Sequence, residues 1–507
     1  MSATATPRGA ELDPARCYRA LASRDARFDG RFFVGVRTTG VYCRPVCPAK
    51  TPLLRNIRFY PCAAAAAEDG FRPCLRCRPE TSPGTPAWSG TSATVSRALR
   101  HIEAGALDRA SVADLAERLG MGERHLRRLF NEHLGATPVA VAQTRRLHFA
   151  KKLLDETDLP MTRIAHDSGY SSLRRFNTAF RDTYGVSPRE LRRGHPSRRL
   201  REGGLSLKLP LREPFDWELL LEFLAMRAIP GVEQVRDGRY VRTVRYDDLR
   251  GEIALARIDS EPAVRLEIPH ALSPALVAMV NGARRLLDLS ADPVEIDRQL
   301  SRDMTLRARI RRRPGLRVPG AWDPFETAVR AVVGQQISVR GATTILGRIV
   351  DRCGERIDGT PGQAPGAGDS APRLFPTAQL LASTDLDGIG MPGARIRAVR
   401  SLAEAVAGGD LVFGHHADLD DIVTRLVALR GIGPWTAHYI AMRALGEPDA
   451  FPTGDVGVMR ALGTESERVS AHEADARSES WRPWRAYAVM YLWTKDAPPA
   501  RRTTRKK

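Results

Sequence analysis

The sequence predicts a multidomain chain: a small α+β four-cysteine domain, an all-α segment, an α+β domain and an all-α body. Three observations predict it. Two close cysteine pairs, Cys43/Cys47 and Cys74/Cys77, stand within residues 1–85. Between 90 and 195 apolar residues recur at helical spacing in two similar units. Alternating, β-rich stretches at Val232–Val244 and Gly251–Ile268 then give way, from 294 onward, to helical periodicity broken by glycine and proline.

Bulk properties set the frame. A chain of 507 residues holds three or four domains, each long enough to bury its own core. The formal net charge of +19 favours a polyanion partner, because each neutralised phosphate releases counterions. No apolar run reaches the ~18 residues of a spanning helix, and no signal-peptide core opens the chain, so no membrane partner is expected. Seven cysteines fit a reducing, cytoplasmic setting, where close pairs bind metal. Cys17, Cys62 and Cys353 lie outside the two pairs and read as small buried apolar residues. Linkers are expected at 79–94 and 196–204, with a basic run at Arg198–Arg201, and a surface loop at 359–372.

The first element is the cysteine quartet, in Val41-Tyr-Cys-Arg-Pro-Val-Cys-Pro48 and Phe71-Arg-Pro-Cys-Leu-Arg-Cys-Arg-Pro79. A C-x3-C pair followed by C-x2-C has the spacing of a four-thiolate zinc site. Such a site is most often structural, but here arginines follow Cys43 and flank Cys77, as if to meet an anion. The alanine run 63–67 reads as a short helix.

The second element repeats. Val112, Leu115, Ala116 and Leu119 precede Gly120, and Leu126, Leu129 and Phe130 follow on a second helix. About fifty residues on, Ile164 and Ala165 precede Gly169, and Leu173, Phe176 and Phe180 follow. Each unit reads as a helix-turn-helix. The other faces carry Arg124, Arg127 and Arg128, then Arg174, Arg175 and Asn177, which are either solvated charges or DNA contacts. With the closing Gly185-Val-Ser-Pro-Arg-Glu-Leu-Arg192, the segment resembles the two-motif DNA-binding domain of AraC-type regulators. That resemblance implies two recognition helices in successive major grooves.

The last two elements carry the most specific text, Leu426-Val-Ala-Leu-Arg-Gly-Ile-Gly-Pro-Trp-Thr-Ala-His-Tyr439 followed by Phe451-Pro-Thr-Gly-Asp455. Gly431 and Gly433 let backbone N–H groups approach a phosphate at the next helix's N-terminus. The pair resembles the helix-hairpin-helix, Gly/Pro…Asp superfamily of DNA glycosylases. With Phe215-Asp-Trp217, Pro314-Gly-Leu-Arg-Val-Pro-Gly-Ala-Trp-Asp-Pro-Phe325, Val333-Gly-Gln-Gln-Ile-Ser-Val339, Gly390-Met-Pro-Gly393 and Trp481-Arg-Pro-Trp-Arg-Ala-Tyr487, residues 207–496 resemble the AlkA type, the 3-methyladenine DNA glycosylases of class II.

That resemblance implies a flipped-out, alkylated base and a carboxylate facing an oxocarbenium-like sugar. Asp455 takes the carboxylate role, alongside or instead of capping the next helix. Phe223, Trp435, Tyr439 and Trp493 would line the base pocket, where aromatic faces suit a cationic base; each equally reads as core. Gln336 falls where the family places the residue that wedges into the vacated stack, a leucine there, and Val456 replaces a tyrosine. Trp435 stands where strand-cutting relatives carry a lysine nucleophile, so the resemblance implies a monofunctional enzyme leaving an abasic site, with no cofactor for this chemistry.

Residues 14–80, with Asp29 to Cys47, Asn56 to Tyr60 and Gly70 to Pro79, resemble the N-terminal domain of the Ada family. The implied site is one Zn2+ held by Cys43, Cys47, Cys74 and Cys77, with Cys43 taking a methyl group from a DNA methyl phosphotriester. Methylation would lower the negative charge of the site, and DNA affinity would rise. Arg37, Thr39, Arg72 and Arg76 would touch the DNA backbone. The Pro-Cys-His-Arg nucleophile of a second methyltransferase domain is absent, and the glycosylase-like segment takes its place.

The expected order is therefore a zinc methyl-acceptor domain at 1–85, a double helix-turn-helix at 90–195, an AlkA-like α+β front at 205–312, a helical glycosylase body at 313–496 and a basic tail at 497–507. The expected activity joins base excision to methylation-driven activation of transcription. The expected partners are double-stranded DNA with alkylated bases, methyl phosphotriesters and promoter sites, and RNA polymerase, for a monomer associated with the nucleoid. Two rivals stay open: a regulator whose rear half is a non-catalytic DNA clamp, and a repair enzyme whose front half only tethers it to DNA.

Overall fold

The structure, a computed structural model, describes residues 12–83, 93–193, 204–357, 372–414, 418–464 and 467–494. Most of both expected linkers, the basic run at 198–201, most of the 359–372 loop and the basic tail lie outside the described residues.

The cysteine domain is a four-stranded sheet in the order Ile57–Tyr60, Phe33–Val36, Val41–Cys43, Arg72–Pro73. Its central hairpin pairs Val34 with Cys43, so the last strand residue delivers a sulfur at the sheet's end. The alanine run forms the expected helix, Ala63–Glu68, with Ala63, Ala64, Ala65 and Ala66 buried. Alanine is what allows that helix to lie close to its neighbour.

Both helix-turn-helix units form as the apolar period requires. Helices Val112–Arg118 and Glu123–Leu134 make the first, and Met161–Asp167 and Leu173–Tyr184 the second. Ser111 closes a capping box on the first helix, and Ser172 caps the second recognition helix. Gly169 in the second turn has φ +88°, and a Cβ there would lie 2.5 Å from the Asp108 carboxylate, so both conformation and space require glycine. The long helix Pro138–Glu156 joins the two units.

The α+β front is a five-stranded antiparallel sheet in the order Leu205–Pro210, Ala263–Ile268, Leu249–Ile258, Arg239–Tyr246, Glu233–Arg236. Its first strand is absent from the sequence reading. The signal existed: Leu205, Leu207 and Leu209 alternate into the core. What hid it was distance, since this strand pairs with the fifth strand across an intervening helix, Trp217–Met226. Among its described residues the body is built of helices, as expected, with one isolated bridge between Arg356 and Arg373, around one core that also takes Phe223, Ile229 and Val232 from the front.

The modules do not each bury a private core, contrary to the sequence expectation. Phe33, Tyr42 and Tyr60 of the cysteine domain share a cluster with Leu99, Leu115 and Phe130, while Leu153, Phe176 and Phe180 share one with the sheet residues Leu207 and Leu266. Units this small leave too much apolar surface uncovered when alone. Ion pairs reinforce the seams: Arg31 with Asp292, Arg78 with Asp155, and Arg100 with Glu447.

One seam titrates. The Tyr42 hydroxyl lies 2.9 Å from His148 Nε2, joining the cysteine-bearing strand to the long helix. Burial holds His148 below its ordinary value, with Glu80 opposing weakly. The unfolded chain therefore takes the proton first as pH falls, so this contribution to stability is whole above about pH 6.5 and is lost below it. His148→Gln keeps a hydrogen-bonding group without titration. Its melting temperature is expected to fall less than the parent's between about pH 7.5 and about pH 5.5, read by thermal melts at both values.

Candidate functional site

The four sulfurs of Cys43, Cys47, Cys74 and Cys77 lie within 4.8 Å of one another. Tetrahedral coordination at ~2.3 Å places sulfurs about 3.8 Å apart, so the cluster fits a zinc ion in both size and donor type. The fit extends to charge. The neighbouring thiols hold Cys43 and Cys77 differently from Cys47 and Cys74: hydrogen bonding with Cys47 pushes the Cys43 thiol far up, while Cys43 draws Cys47 down to about 7. Four crowded sulfurs cannot all ionise without a cation among them.

Cys43, Cys47 and Cys77 are buried and Cys74 is half-buried. Arg44, expected to meet an anion, turns inward instead. Its Nε donates to Asp29 at 2.8 Å and its Nη1 to the Cys77 carbonyl at 3.2 Å, so it braces the cluster. Arg78 likewise turns to Asp155 and Glu80. Arg37, Thr39, Arg72 and Arg76 do face solvent. Arg72 also leans towards Gly185, at the end of the second recognition helix.

On that reader, Arg124, Arg127, Arg128, Arg174 and Arg175 are exposed, while Asn177 is half-buried. Arg127 is held by Glu123 one turn earlier at 2.6 Å, a contact that a phosphate can replace. Leu126, Phe130 and Leu134 anchor the first recognition helix and Phe176, Phe180 and Tyr184 the second, leaving the basic faces outward.

The second site joins four elements of the body. Helices Leu419–Val427 and Pro434–Ala444 form the hairpin. Ile432, 3% exposed, pins its turn to the core. Gly431 has φ +84°, and a Cβ there would lie 2.5 Å from Ala398 Cβ, whereas Gly433 faces open space at the start of the second helix. Gly433 is thus where a backbone phosphate could approach.

Asp455 is the N-cap of helix Val456–Leu462 and is buried at 9% exposure. Its Oδ1 accepts from Val458 N–H at 2.8 Å and from Trp493 Nε1 at 2.8 Å, and its Oδ2 accepts from Trp435 Nε1 at 3.0 Å. Capping and charge placement therefore coexist in one carboxylate. Trp435 stacks on Tyr439 at 5.3 Å between centroids, and Trp493 lies 6.1 Å from Tyr439. Trp435 and Tyr439 meet because residues four apart share a helix face. The structure brings Asp455, Trp435, Tyr439 and Trp493 together, and places Phe223 across from Tyr439 through Arg443, which approaches both rings.

Gln336 sits exposed at φ +56° in the turn between helices Pro324–Val333 and Val339–Cys353, beside the exposed apolar side chains of Ile337 and Val339. The wedge expectation therefore falls on a protruding turn. The sequence reading missed four neighbours. Gln335 donates to the Gly431 carbonyl at 3.0 Å and Thr436 Oγ1 at 2.9 Å, tying that turn to the hairpin. Arg227 and Arg443 flank the Phe223 ring, and no motif announces them. At Gly457 a Cβ would lie 3.1 Å from both Asp455 Oδ1 and Trp493 Cδ1. With Asp455 fixed by three donors, Gly457→Ala must displace it, and a rate loss of about tenfold or more is expected in a single-turnover base-release assay, with the melting temperature little changed.

Family models match in chain order: the metal binding domain of Ada over residues 16–80, a helix-turn-helix domain over 115–194, and the AlkA N-terminal domain over 206–323. A Mycobacterium tuberculosis protein described as a "Probable bifunctional transcriptional activator/DNA repair enzyme AlkA" is 42% identical over 486 residues, covering 94% of this chain and 96% of its own. DNA-3-methyladenine glycosylase 2 of Escherichia coli is 33% identical over 284 residues, 55% of this chain and 94% of its own length. The bifunctional transcriptional activator/DNA repair enzyme Ada of Escherichia coli is 32% identical over 177 residues, 35% of this chain and 48% of its own length. Identity across almost the whole of the first relative, with the domain families in the same order, shows that the chain belongs to the Ada–AlkA family of bifunctional transcriptional activator/DNA repair proteins.

Proposed function

We propose that the rear half is a monofunctional DNA glycosylase that releases alkylated bases of the 3-methyladenine type, and that the front half senses methyl phosphotriesters and activates transcription. The observation that carries the first part is Asp455, held by two indole N–H groups and a backbone N–H beside an aromatic wall and near the hairpin turn. Double-stranded DNA is the partner of both halves. The hairpin turn at Gly433 takes a backbone phosphate, the protruding turn at Gln336 fills the space left by the flipped nucleotide, and Trp435, Tyr439 and Trp493 receive the base. Asp455 stabilises the developing positive charge on the sugar while its oxygens orient water. Trp435 offers no amine, so no Schiff base forms and the strand stays intact.

In the front half, zinc held by Cys43, Cys47, Cys74 and Cys77 would keep the sulfurs ionised at neutral pH. The Cys43 sulfur bonds the methyl carbon as the carbon–oxygen bond of the phosphotriester breaks, and an ordinary phosphodiester anion leaves. The Arg44 backbone N–H donates to the Cys77 sulfur at 3.4 Å. The Cys43 sulfur is surrounded by those of Cys47, Cys74 and Cys77. Arg37, Thr39, Arg72 and Arg76 hold the flanking phosphates, and the reader arginines and Asn177 hold the promoter.

The test is incubation of the full chain with methylated duplex DNA, followed by analysis of released bases and of the strand. Free alkylated purine with an uncut strand, and no covalent adduct on borohydride treatment, is the expected result. Release of no base would favour the clamp reading; a borohydride-trapped adduct would overturn the monofunctional one.

A further inference from the structure

The leading helix of the reader, Ala93–Glu103, has two working faces. Val95, Ala98, Leu99 and Ile102 recur at helical spacing, are buried, and join the core shared by the cysteine domain and the first helix-turn-helix. Arg97, Arg100 and His101 form the other face and reach into the repair half. Arg100 donates from Nη1 to the Gly446 carbonyl at 2.7 Å and from Nη2 to Glu447 Oε1 at 3.0 Å, and Arg97 Nη1 lies 4.0 Å from the same oxygen. His101 Nε2 lies 3.2 Å from the Gly414 carbonyl. Arg97 and Glu447 are each only 3% exposed, so this clamp is an internal contact rather than a surface one. Asn281 Nδ2 holds the carbonyl of Glu103, the last residue of the helix, at 2.9 Å.

The clamp falls on the hairpin away from its Gly431–Gly433 turn. Gly414 precedes the first hairpin helix, while Gly446 and Glu447 follow the second. Burial holds Arg97 below the ordinary arginine value; Glu447 opposes this most, Asp418 and Asp421 at the start of the first hairpin helix oppose it less, and Arg100 adds to it. Glu447 also opens the connection that runs from the hairpin to Asp455. Its N–H donates to the Ala441 carbonyl at 3.0 Å, inside the helix that carries Trp435. The next two residues bond to the start of the helix that carries Trp493: the Pro448 carbonyl accepts from Ala486 N–H at 2.9 Å, and Asp449 Oδ1 from Arg485 Nε at 2.9 Å. The connection is therefore tied to both helices whose indoles hold Asp455, and the reader's arginines grip it where those ties converge.

We propose that Arg100, supported by Arg97, is a positioning residue for base excision: from the reader half it fixes the connection that sets the Asp455 carboxylate between Trp435 and Trp493. This rests on the glycosylase reading above and adds to it that the reader helix is part of the scaffold of the excision site. The carboxylate is held by three donors at 2.8 to 3.0 Å, and hydrogen bonds of that length tolerate little displacement. A misplacement of about 1 Å at a reacting group costs up to about a hundredfold in rate, even when its cause lies far from the chemistry. Loss of the Arg100 guanidinium leaves the buried Glu447 carboxylate without its nearer arginine. A buried charge deprived of its partner is driven towards water, and the chain that carries it must follow. The reader and the repair half thus act as one body, joined by contacts that the excision site uses.

The test measures single-turnover release of base from a methylated duplex by the full chain, together with affinity for that duplex. In Arg100→Met the rate constant is expected to fall about tenfold while affinity stays within about threefold. Partial unfolding would lower the amplitude of release and leave its rate constant alone, so the two causes separate. Arg31→Met is the control, because it removes a different contact between the halves, with Asp292 at the cap of helix Pro293–Leu300. Its rate constant is expected to stay within about twofold of the parent's. Hydrogen exchange gives a second readout: the amides of residues 447–455 should exchange faster in Arg100→Met and at the parent's rate in Arg31→Met. A parental rate constant in Arg100→Met, or an equal loss in Arg31→Met, overturns the inference and leaves the glycosylase reading intact. Release of no base by the parent protein overturns both.

Discussion

Asp455→Asn is expected to lower release of alkylated purine from duplex DNA by about 10²–10³-fold, while duplex affinity stays within about threefold. The carboxylate is fixed by Val458 N–H, Trp493 Nε1 and Trp435 Nε1, at 2.8, 2.8 and 3.0 Å. All three are donors, so they hold a negative charge in one orientation before the substrate arrives. Asparagine keeps one acceptor oxygen and can still cap the helix. Its NH2 must then face one of the indole N–H groups, donor against donor, and the charge is gone. The mismatch costs about 1–2 kcal/mol of stability. The activity loss, about 3–4 kcal/mol on the same scale, is the larger effect. Asp455→Ser separates the two roles further, because serine is a good cap with no charge. It should keep the helix cap, lose about as much stability as Asp455→Asn because the indole N–H groups lose their acceptor, and release base as poorly. Unaltered release in either variant would remove Asp455 from the reaction.

The second large effect concerns Cys43. After incubation with DNA carrying methyl phosphotriesters, peptide mass spectrometry of the full chain is expected to find one added methyl on Cys43 and none on Cys47, Cys74 or Cys77. Cys43→Ala should take up none. Burial makes this a demanding test, since Cys43 is 7% exposed whereas Cys74 is half-buried. Exposure alone would nominate Cys74; the resemblance to the Ada family nominates Cys43. A methyl group on Cys74 would transfer the acceptor role to it. Methylation also removes one negative charge from the site, so affinity for a promoter duplex should rise about tenfold at low salt and less at high salt. Chelation of the metal tests the same cluster from another side. The core around Cys17, Phe32, Val34 and Ile57 is small, so metal loss is expected to unfold the cysteine domain, seen as loss of its protease resistance.

Much of this was legible in the sequence because the information was local. Cys43 to Cys77 span a short stretch whose spacing belongs to the metal's geometry, and the repeated apolar period at Leu115/Leu126 and Ile164/Phe176 belongs to the helix. The hairpin at Gly431–Gly433 and the acid at Asp455 stand close enough to be read as one motif. Other features were hidden by distance or by direction. Strand Leu205–Pro210 pairs with Ala263–Ile268 across the intervening elements. Arg44 and Arg78 looked like anion contacts beside the cysteines, but their side chains turn to Asp29 and Asp155. Nothing in a linear reading states which way an arginine points.

The sequence by itself determined the order of modules, the four thiolates, the two reader helices and the acid at the hairpin, since each rests on spacing within one element or between neighbours. Only the tertiary structure decided what surrounds them. It gave Asp455 its two indole donors from Trp435 and Trp493, which are distant in the chain. It placed Gly457 where a Cβ would press on Asp455 and Trp493, and merged the cores of adjoining modules. It also set Arg227 and Arg443 against the Phe223 ring. Charge acts through space with a reach of several ångströms, so the character of a site depends on neighbours that the order of residues does not name.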